Sequence, residues 1–462
     1  MDRRLLLGLA LVSFSPACAS RPTAAPGTAY ASEIEHLRFA NGMQAVLART
    51  PPSSGEPRVF VGLYVRYGSA AESRPELAHL VEHIAANNTP LLQDYTIGDD
   101  IRVLASNAMT RTDYSSLWRV VSPNGVDAFI GHRANRVAGV NNDSVVFARE
   151  VPRVSGELER EVAAEQQRGP SAAALLARTF RPDALTAAER IPLVRNYAAA
   201  DVFAEIDAFY RPGNSVLVIA GDVDLGATRA SLQRRLGGYG SREGRSGAPA
   251  PVFPAYAGAS VVRSALVSET RVALGLAAPP RLSRDFLAFL IADQLLLGGR
   301  AETTSGQFSR SGDAPLPRRL AASIGGYGFG DGMSYDESPP LLAQVSPSYL
   351  RISFTTPSAE AVTIERAVSE ALADIAANTS DAEINAARDA LVVFLSDWML
   401  SPNLLTMADH LAAFALIDED ATRLSRLQAE LEAVRPAAVR SLLAGFSEEG
   451  AARLAVVLPA SN

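Results

Sequence analysis

Apolar and polar positions divide the chain into strand-like and helix-like runs. Val59-Phe60-Val61-Gly62-Leu63-Tyr64-Val65 is a short apolar run rich in β-branched and aromatic residues, and it predicts a strand ending near Gly68-Ser69. Ahead of it, Asn41-Gly42 sits between Leu37-Arg38-Phe39 and Gln44-Ala45-Val46-Leu47, a hairpin pattern. Beyond it, Leu77, Leu80, Val81 and Ile84 recur at i, i+3, i+4 and i+7, which at about 100° per residue puts them on one side of a helix. Ser73-Arg74-Pro75 offers a capping hydroxyl and an early proline, and Asn87-Asn88 a stop. The expectation is a helix that follows a sheet edge, packed on one face and polar on the other.

The same order of elements returns about 210 residues later. Thr270 to Leu276 reads as an apolar strand, Phe286 to Leu297 as a long helix, Tyr349 to Phe354 as a strand, 361–376 and 381–398 as helices, and Leu454 to Leu458 as a closing strand that matches Ser215 to Ala220. Between the two runs, Gly237-Gly238 through Pro251 is rich in Gly, Ser, Pro and Arg and reads as a linker. The predicted organisation is a first domain over 33–240, a linker over 241–256 and a homologous second domain over 257–462. The fold class is α+β, two repeated domains each built from a mostly antiparallel sheet packed with helices.

The polar face of the first helix carries chemistry. His79, Glu82 and His83 fall opposite its apolar stripe, and the two His, one turn apart, can point neutral imidazoles at one metal ion. Glu82 projects beside them, where a carboxylate can act as a base toward water on that metal. Read as HxxEH, the motif inverts the HExxH order of zinc peptidases, and the chain holds only five His in 462 residues. Three solvated polar residues on a surface helix would be the plainer account. A hydrolytic zinc ion needs a third protein ligand, and since His36, His132 and His410 are isolated, a carboxylate is the expected one.

Composition narrows the setting. The chain is 48% hydrophobic and 20% charged with a net charge of -7, and without a basic block it is not expected to bind nucleic acid. Residues 1–20 read as an export signal: Arg3-Arg4, an apolar run from Leu5 to Phe14, then small residues. A Pro/Ala/Thr-rich tether follows over 21–32. The sole cysteine, Cys18, lies in Ser15-Pro16-Ala17-Cys18, which looks like a lipoprotein cleavage box, while Ala17-Cys18-Ala19 also fits an ordinary signal-peptidase site. The expected address is the periplasm, with an outer-membrane lipid anchor through Cys18 if the first reading holds. Either processing leaves no cysteine for an internal disulfide, so stability must come from packed core.

Asn41-Gly42-Met43, Gly68-Ser69-Ala70-Ala71-Glu72, Leu77 to His83, Asn107-Ala108-Met109-Thr110 with Arg111 to Tyr114, and Phe209 to Asn214 followed by Ala220-Gly221-Asp222-Val223 together resemble the pitrilysin/insulinase family of zinc metallopeptidases. The resemblance, to a bacterial branch like the mitochondrial processing peptidase, spans the chain after about residue 33. It implies a clamshell of two gene-duplicated domains, one zinc ion per chain, and hydrolysis of unfolded peptides by water activated with Glu82. It implies a third ligand some 75 residues past the motif, preceded seven residues earlier by a second carboxylate; Glu157 and Glu150 fit, with Glu159 and Glu161 as rivals for the ligand. Pro152 between them is expected to kink or restart the helix. By the same resemblance, peptide would add as a strand along Arg102 to Ala108 with Asn107 and Ala108 offering backbone bonds, and Arg318 or Arg319 with Tyr327 would reach substrate from the second domain. A homodimer or heterodimer with a family member is implied as well, and the alternative function is a catalytically impaired partner subunit or peptide-binding protein.

Overall fold

The computed structural model describes residues 33–50, 56–87, 101–138, 143–237, 254–256, 258–281, 283–298, 300–302, 308–310, 314–333, 349–400 and 404–460. The export segment 1–20, the tether 21–32, Cys18 and most of the linker over 241–256 lie outside the described residues.

In the first half the strands are β1 (Glu33–Arg38), β2 (Gln44–Arg49), β3 (Val59–Val65), β4 (Val103–Thr110), β5 (Ser115–Val121) and β6 (Ser215–Gly221). They form one sheet in the order β1-β2-β6-β3-β5-β4, antiparallel except where β2 meets β6. Asn41-Gly42 turns the β1–β2 hairpin as expected: Gly42 has φ 85°, and a Cβ there would lie 2.9 Å from Gly213 Cα. Around the sheet run α1 (Leu77–Asn87), α2 (Val126–Ala138), α3 (Ser144–Arg168), α4 (Ala172–Phe180), α5 (Ala187–Arg195), α6 (Ala199–Phe209) and α7 (Leu225–Leu236).

The second half supplies β7 (Ser260–Ser264), β8 (Thr270–Ala277), α8 (Arg284–Leu297), the short hairpin β9 (Arg300–Glu302) and β10 (Phe308–Arg310), α9 (Pro315–Ile324), β11 (Tyr327–Met333) and β12 (Tyr349–Thr356). It continues through α10 (Ala361–Asn378), α11 (Asp381–Leu400), α12 (Leu404–Leu416), α13 (Leu427–Glu432) and α14 (Pro436–Phe446) to β13 (Ala452–Pro459). Its sheet runs β7-β13-β8-β12-β11, and its one parallel pair joins β13 to β7. That is the order β2-β6-β3-β5-β4 of the first sheet, pair for pair, so the sequence repeat is a repeat of topology. In the place of α1 stands α8, whose residues from Phe286 to Leu297 are all buried.

The central strands of each sheet bury both faces, successive side chains alternating sides. On one side of the first sheet Ala45, Leu47, Val61, Leu63, Leu217 and Ile219 pack with the apolar stripe of α1 and its neighbours. On the other side Val46, Phe60, Tyr64, Val216 and Val218 meet α12, a helix of the second half. The exchange is reciprocal. Helix α4 of the first half lays Ala172, Leu176 and Phe180 on Ala273, Tyr349, Ala455 and Val457 of the second sheet. One buried polar link accompanies α12: Asp409, 4% exposed, accepts from Tyr64 Oη at 2.7 Å and pairs with Arg111 at 3.7 Å. Burial pushes that carboxyl up to about 6, opposed by Arg111 and the Tyr64 bond.

Candidate metal centre

The apolar stripe seats α1. Leu77, Leu80, Val81 and Ile84 are fully buried, which turns His79 and His83 outward into a cleft. The helix start differs from the expected Ser73 cap. Glu72 reaches the free backbone N–H groups, its Oε1 accepting from Glu76 N at 3.0 Å and its Oε2 from Ala78 N at 2.9 Å. Ser73 instead donates its hydroxyl to Glu205 at 2.6 Å. A carboxyl group with two oxygens satisfies two amides, which one hydroxyl cannot match, and burial pushes it up to about 8 against those two bonds. At the far end Asn87 closes the helix by donating its side-chain amide to the His83 carbonyl at 3.0 Å.

The two imidazoles are 4.8 Å apart, centroid to centroid. Their Nε2 atoms both face one oxygen of Glu157, 3.4 Å from His79 and 3.7 Å from His83. Their Nδ1 atoms are each held by a different carboxylate: Glu76 at 2.8 Å for His79 and Glu150 at 3.3 Å for His83. With Nδ1–H donated, each Nε2 keeps its lone pair for the space beside Glu157. Glu150 is fully buried and is itself held by Arg149 at 2.9 Å and Arg153 at 3.0 Å.

Helix α3, which brings Glu150 and Glu157 to this point, runs unbroken through Pro152, against the expected interruption. Proline removes one intrahelical bond. The turn around it is held by the two arginines on Glu150, and the helix is capped by Asp143, whose carboxylate accepts from Val145 N at 2.8 Å. Because the helix is continuous, positions seven apart share a face. Glu159 pairs with Arg195, and Glu161 with Arg190 at 3.1 Å.

Glu82 is the least exposed of the motif at 6% and lies beside the imidazoles, a donor atom of each of His79, Glu82 and His83 falling within 4.8 Å of the others. Burial pushes its carboxyl up to about 7; Glu157 and Glu150 add to this, while His79 and the Thr110 hydroxyl, 3.5 Å away, oppose it. For His79, burial opposes the charged ring, but the Glu76 bond and the nearby carboxylates outweigh it and raise the pKa. His83 is lowered, by burial and then by His79. Two imidazole nitrogens and a carboxylate oxygen converging from two helices are the donor types and number that zinc takes at a hydrolytic site, so the residues fit that ion.

The cleft measures about 770 Å³. Among the described residues its lining comes from those between Ser69 and Arg190 and includes Asn107 and Ala108 on β4. Among the described residues β4 pairs only with β5, which leaves it the edge of the sheet, with Val103 and Leu104 42% and 43% exposed. The second-half candidates are not brought to the cleft. Arg319 is held by Asp374 and by the Pro315 carbonyl, and Tyr327, 44% exposed, opens β11 beside Glu269. Sequence reasoning missed Glu76 and Arg190 and gave no role to Thr110, all of which line the cleft. The available signal was Glu76, three residues before His79.

Residues 198–391 match the sequence model of the Peptidase M16 inactive domain. The matched span begins after the last cleft residue and contains none of His79, Glu82, His83 or Glu157. No curated protein matches the chain. Among solved structures, a protease from Helicobacter pylori is 17% identical, with a TM-score of 0.71 over 93% of this chain and 100% of that one. A peptidase M16 inactive domain from Pseudomonas fluorescens is 15% identical, with a TM-score of 0.71 over 93% and 98%. The first half of the periplasmic protease PqqL from Escherichia coli is 15% identical, with a TM-score of 0.61 over 92% of each chain. The chain therefore has the fold of M16-like peptidases, and its residues 198–391 are similar to the Peptidase M16 inactive domain.

Proposed function

We propose that the chain is a zinc-dependent endopeptidase acting on unfolded peptides. The observation that carries this reading is the convergence of His79 Nε2 and His83 Nε2 on Glu157, with a buried Glu82 beside them. His79, His83 and Glu157 would hold one zinc ion, which when bound supplies a Lewis acid that acidifies water and polarises a peptide carbonyl. Glu82 takes a proton from the attacking water at its carboxylate and returns it to the leaving amine. Glu150 orients His83. Edge strand β4 accepts an extended peptide by backbone pairing near Asn107 and Ala108, which tolerates many side chains.

A second reading, a partner subunit that binds peptide without cleaving it, draws support from the inactive-domain match over 198–391 and from a cleft to which, among the described residues, the second half contributes none of the lining. Zinc content together with cleavage of a quenched, unfolded peptide separates the two. One zinc per chain with turnover supports the peptidase; wild type that holds zinc and fails to cleave, alone or with a homologous subunit supplied, leaves the partner reading.

The proposed address, periplasmic with a lipid on Cys18, rests on the sequence of residues 1–20. Cys18→Ala is expected to move the full chain from the membrane to the soluble fraction of expressing cells. Equal partition of wild type and variant removes the anchor from the proposal.

A further inference from the structure

Glu76 stands at φ 70°, in the left-handed region, and among the described residues only Glu419 is another non-glycine residue with positive φ. A residue with a Cβ is strained in that conformation, and glycine would take the same turn without strain. The side chain that accompanies the strain is buried and fully engaged. Its Oε2 lies 2.8 Å from His79 Nδ1, and its Oε1 accepts from Arg190, whose other amino group reaches Glu161 at 3.1 Å. The arrangement on the other ligand is the same in kind: His83 Nδ1 on Glu150, and Glu150 on Arg149 and Arg153.

We infer that Glu76 is a positioning residue for His79, fixing the ring and its Nδ1–H tautomer so that Nε2 faces Glu157, with Arg190 and Glu161 anchoring Glu76 in turn. The inference rests on the metal reading of the site for its consequence, since a carboxylate on Nδ1 strengthens Nε2 as a donor, but the tautomer itself is a property of the metal-free protein. A left-handed turn occupied by glutamate in preference to glycine is the mark of a side chain held for its contact.

Two substitutions test it. Glu76→Gly removes both strain and carboxylate; Glu76→Gln keeps an acceptor oxygen for Nδ1–H and loses the charge. In the metal-free full chain at pH 8, ring ¹⁵N spectra are expected to show His79 protonated at Nδ1 in wild type and Glu76→Gln, and shifted toward the Nε2–H form in Glu76→Gly. Competition with a chelator is expected to show zinc affinity lowered about 10–100-fold by Glu76→Gly and less by Glu76→Gln. Thermal stability of the metal-free chain is expected to fall less in Glu76→Gly than loss of the His79 and Arg190 contacts alone would give, because the turn relaxes. An unchanged His79 tautomer in Glu76→Gly overturns the inference. So does a loss of zinc affinity that tracks a loss of stability in both variants. If wild type binds no zinc while the tautomer still depends on Glu76, the inference stands and the metal reading falls; zinc binding without cleavage removes the peptidase reading alone.

Discussion

Glu82→Gln is expected to retain one zinc per chain and to lose peptide cleavage by about 10²–10⁴-fold, the range a positioned general base contributes. Gln keeps the shape of the side chain, and the donors on His79, His83 and Glu157 are untouched. The same change is expected to stabilise the metal-free protein at pH 8. The folded carboxyl titrates near 7, above its ordinary value of 4.5, so the folded chain holds this proton more tightly than the unfolded one. That contribution is fully present below pH 4.5 and is lost as the pH rises toward about 7. Above that, a buried charge remains which Gln does not carry, a difference on the order of 1–3 kcal/mol. Denaturant unfolding of both metal-free chains at pH 5 and pH 8 checks it: the gap should be much wider at the higher pH. A variant that cleaves at the wild-type rate, or that loses its zinc, contradicts the role given to Glu82.

Phe180→Ala is expected to cost about 3–5 kcal/mol, among the largest effects of any single truncation. Its ring stacks on Tyr349 at 3.9 Å and 4°, Arg453 lies over it at 4.4 Å, and the strand beneath has no side chain at Gly275, where a Cβ would come within 2.5 Å of the ring. Phe180 belongs to α4 of the first half and everything it touches here belongs to the second, so the cavity would open between the halves. Unfolding followed by Trp118 fluorescence in the first sheet and by far-ultraviolet circular dichroism of the whole chain should show coincident transitions, both halves weakened together. A variant within about 1 kcal/mol of wild type would show that the exchange of helices contributes little.

Much of this was legible in the sequence where the pattern is strong. The β-branched run at Val59 to Val65 is a strand with those bounds, and the strand at Thr270 and the helix ending at Leu297 lie where the repeat put them. Glu150 and Glu157 do share a face, because α3 tolerates the proline that was expected to divide it. What periodicity could not say is which layer a buried face meets. The helix Leu404–Leu416 was not among the expected elements, and nothing local assigns its buried face to the first sheet. The cap by Glu72 was hidden because a carboxylate four residues before Glu76 reaches the helix only through the turn between them. Arg319 and Tyr327 were sought in a glycine-rich stretch where spacing constrains little, and the structure gives Arg319 to Asp374 and leaves Tyr327 at a sheet edge away from the cleft.

The crossing of α4 and α12 has a consequence for taking the molecule apart. A protease cut between residues 237 and 254 would yield two fragments that are separate in mass yet each hold a helix the other needs, so they should elute as one particle of full size under native conditions. A gene fragment encoding the first half alone would present a sheet face bearing Phe60, Tyr64 and Val218 to water and should not be a soluble surrogate for the whole. Supplied together, the two fragments would complement each other without any linker.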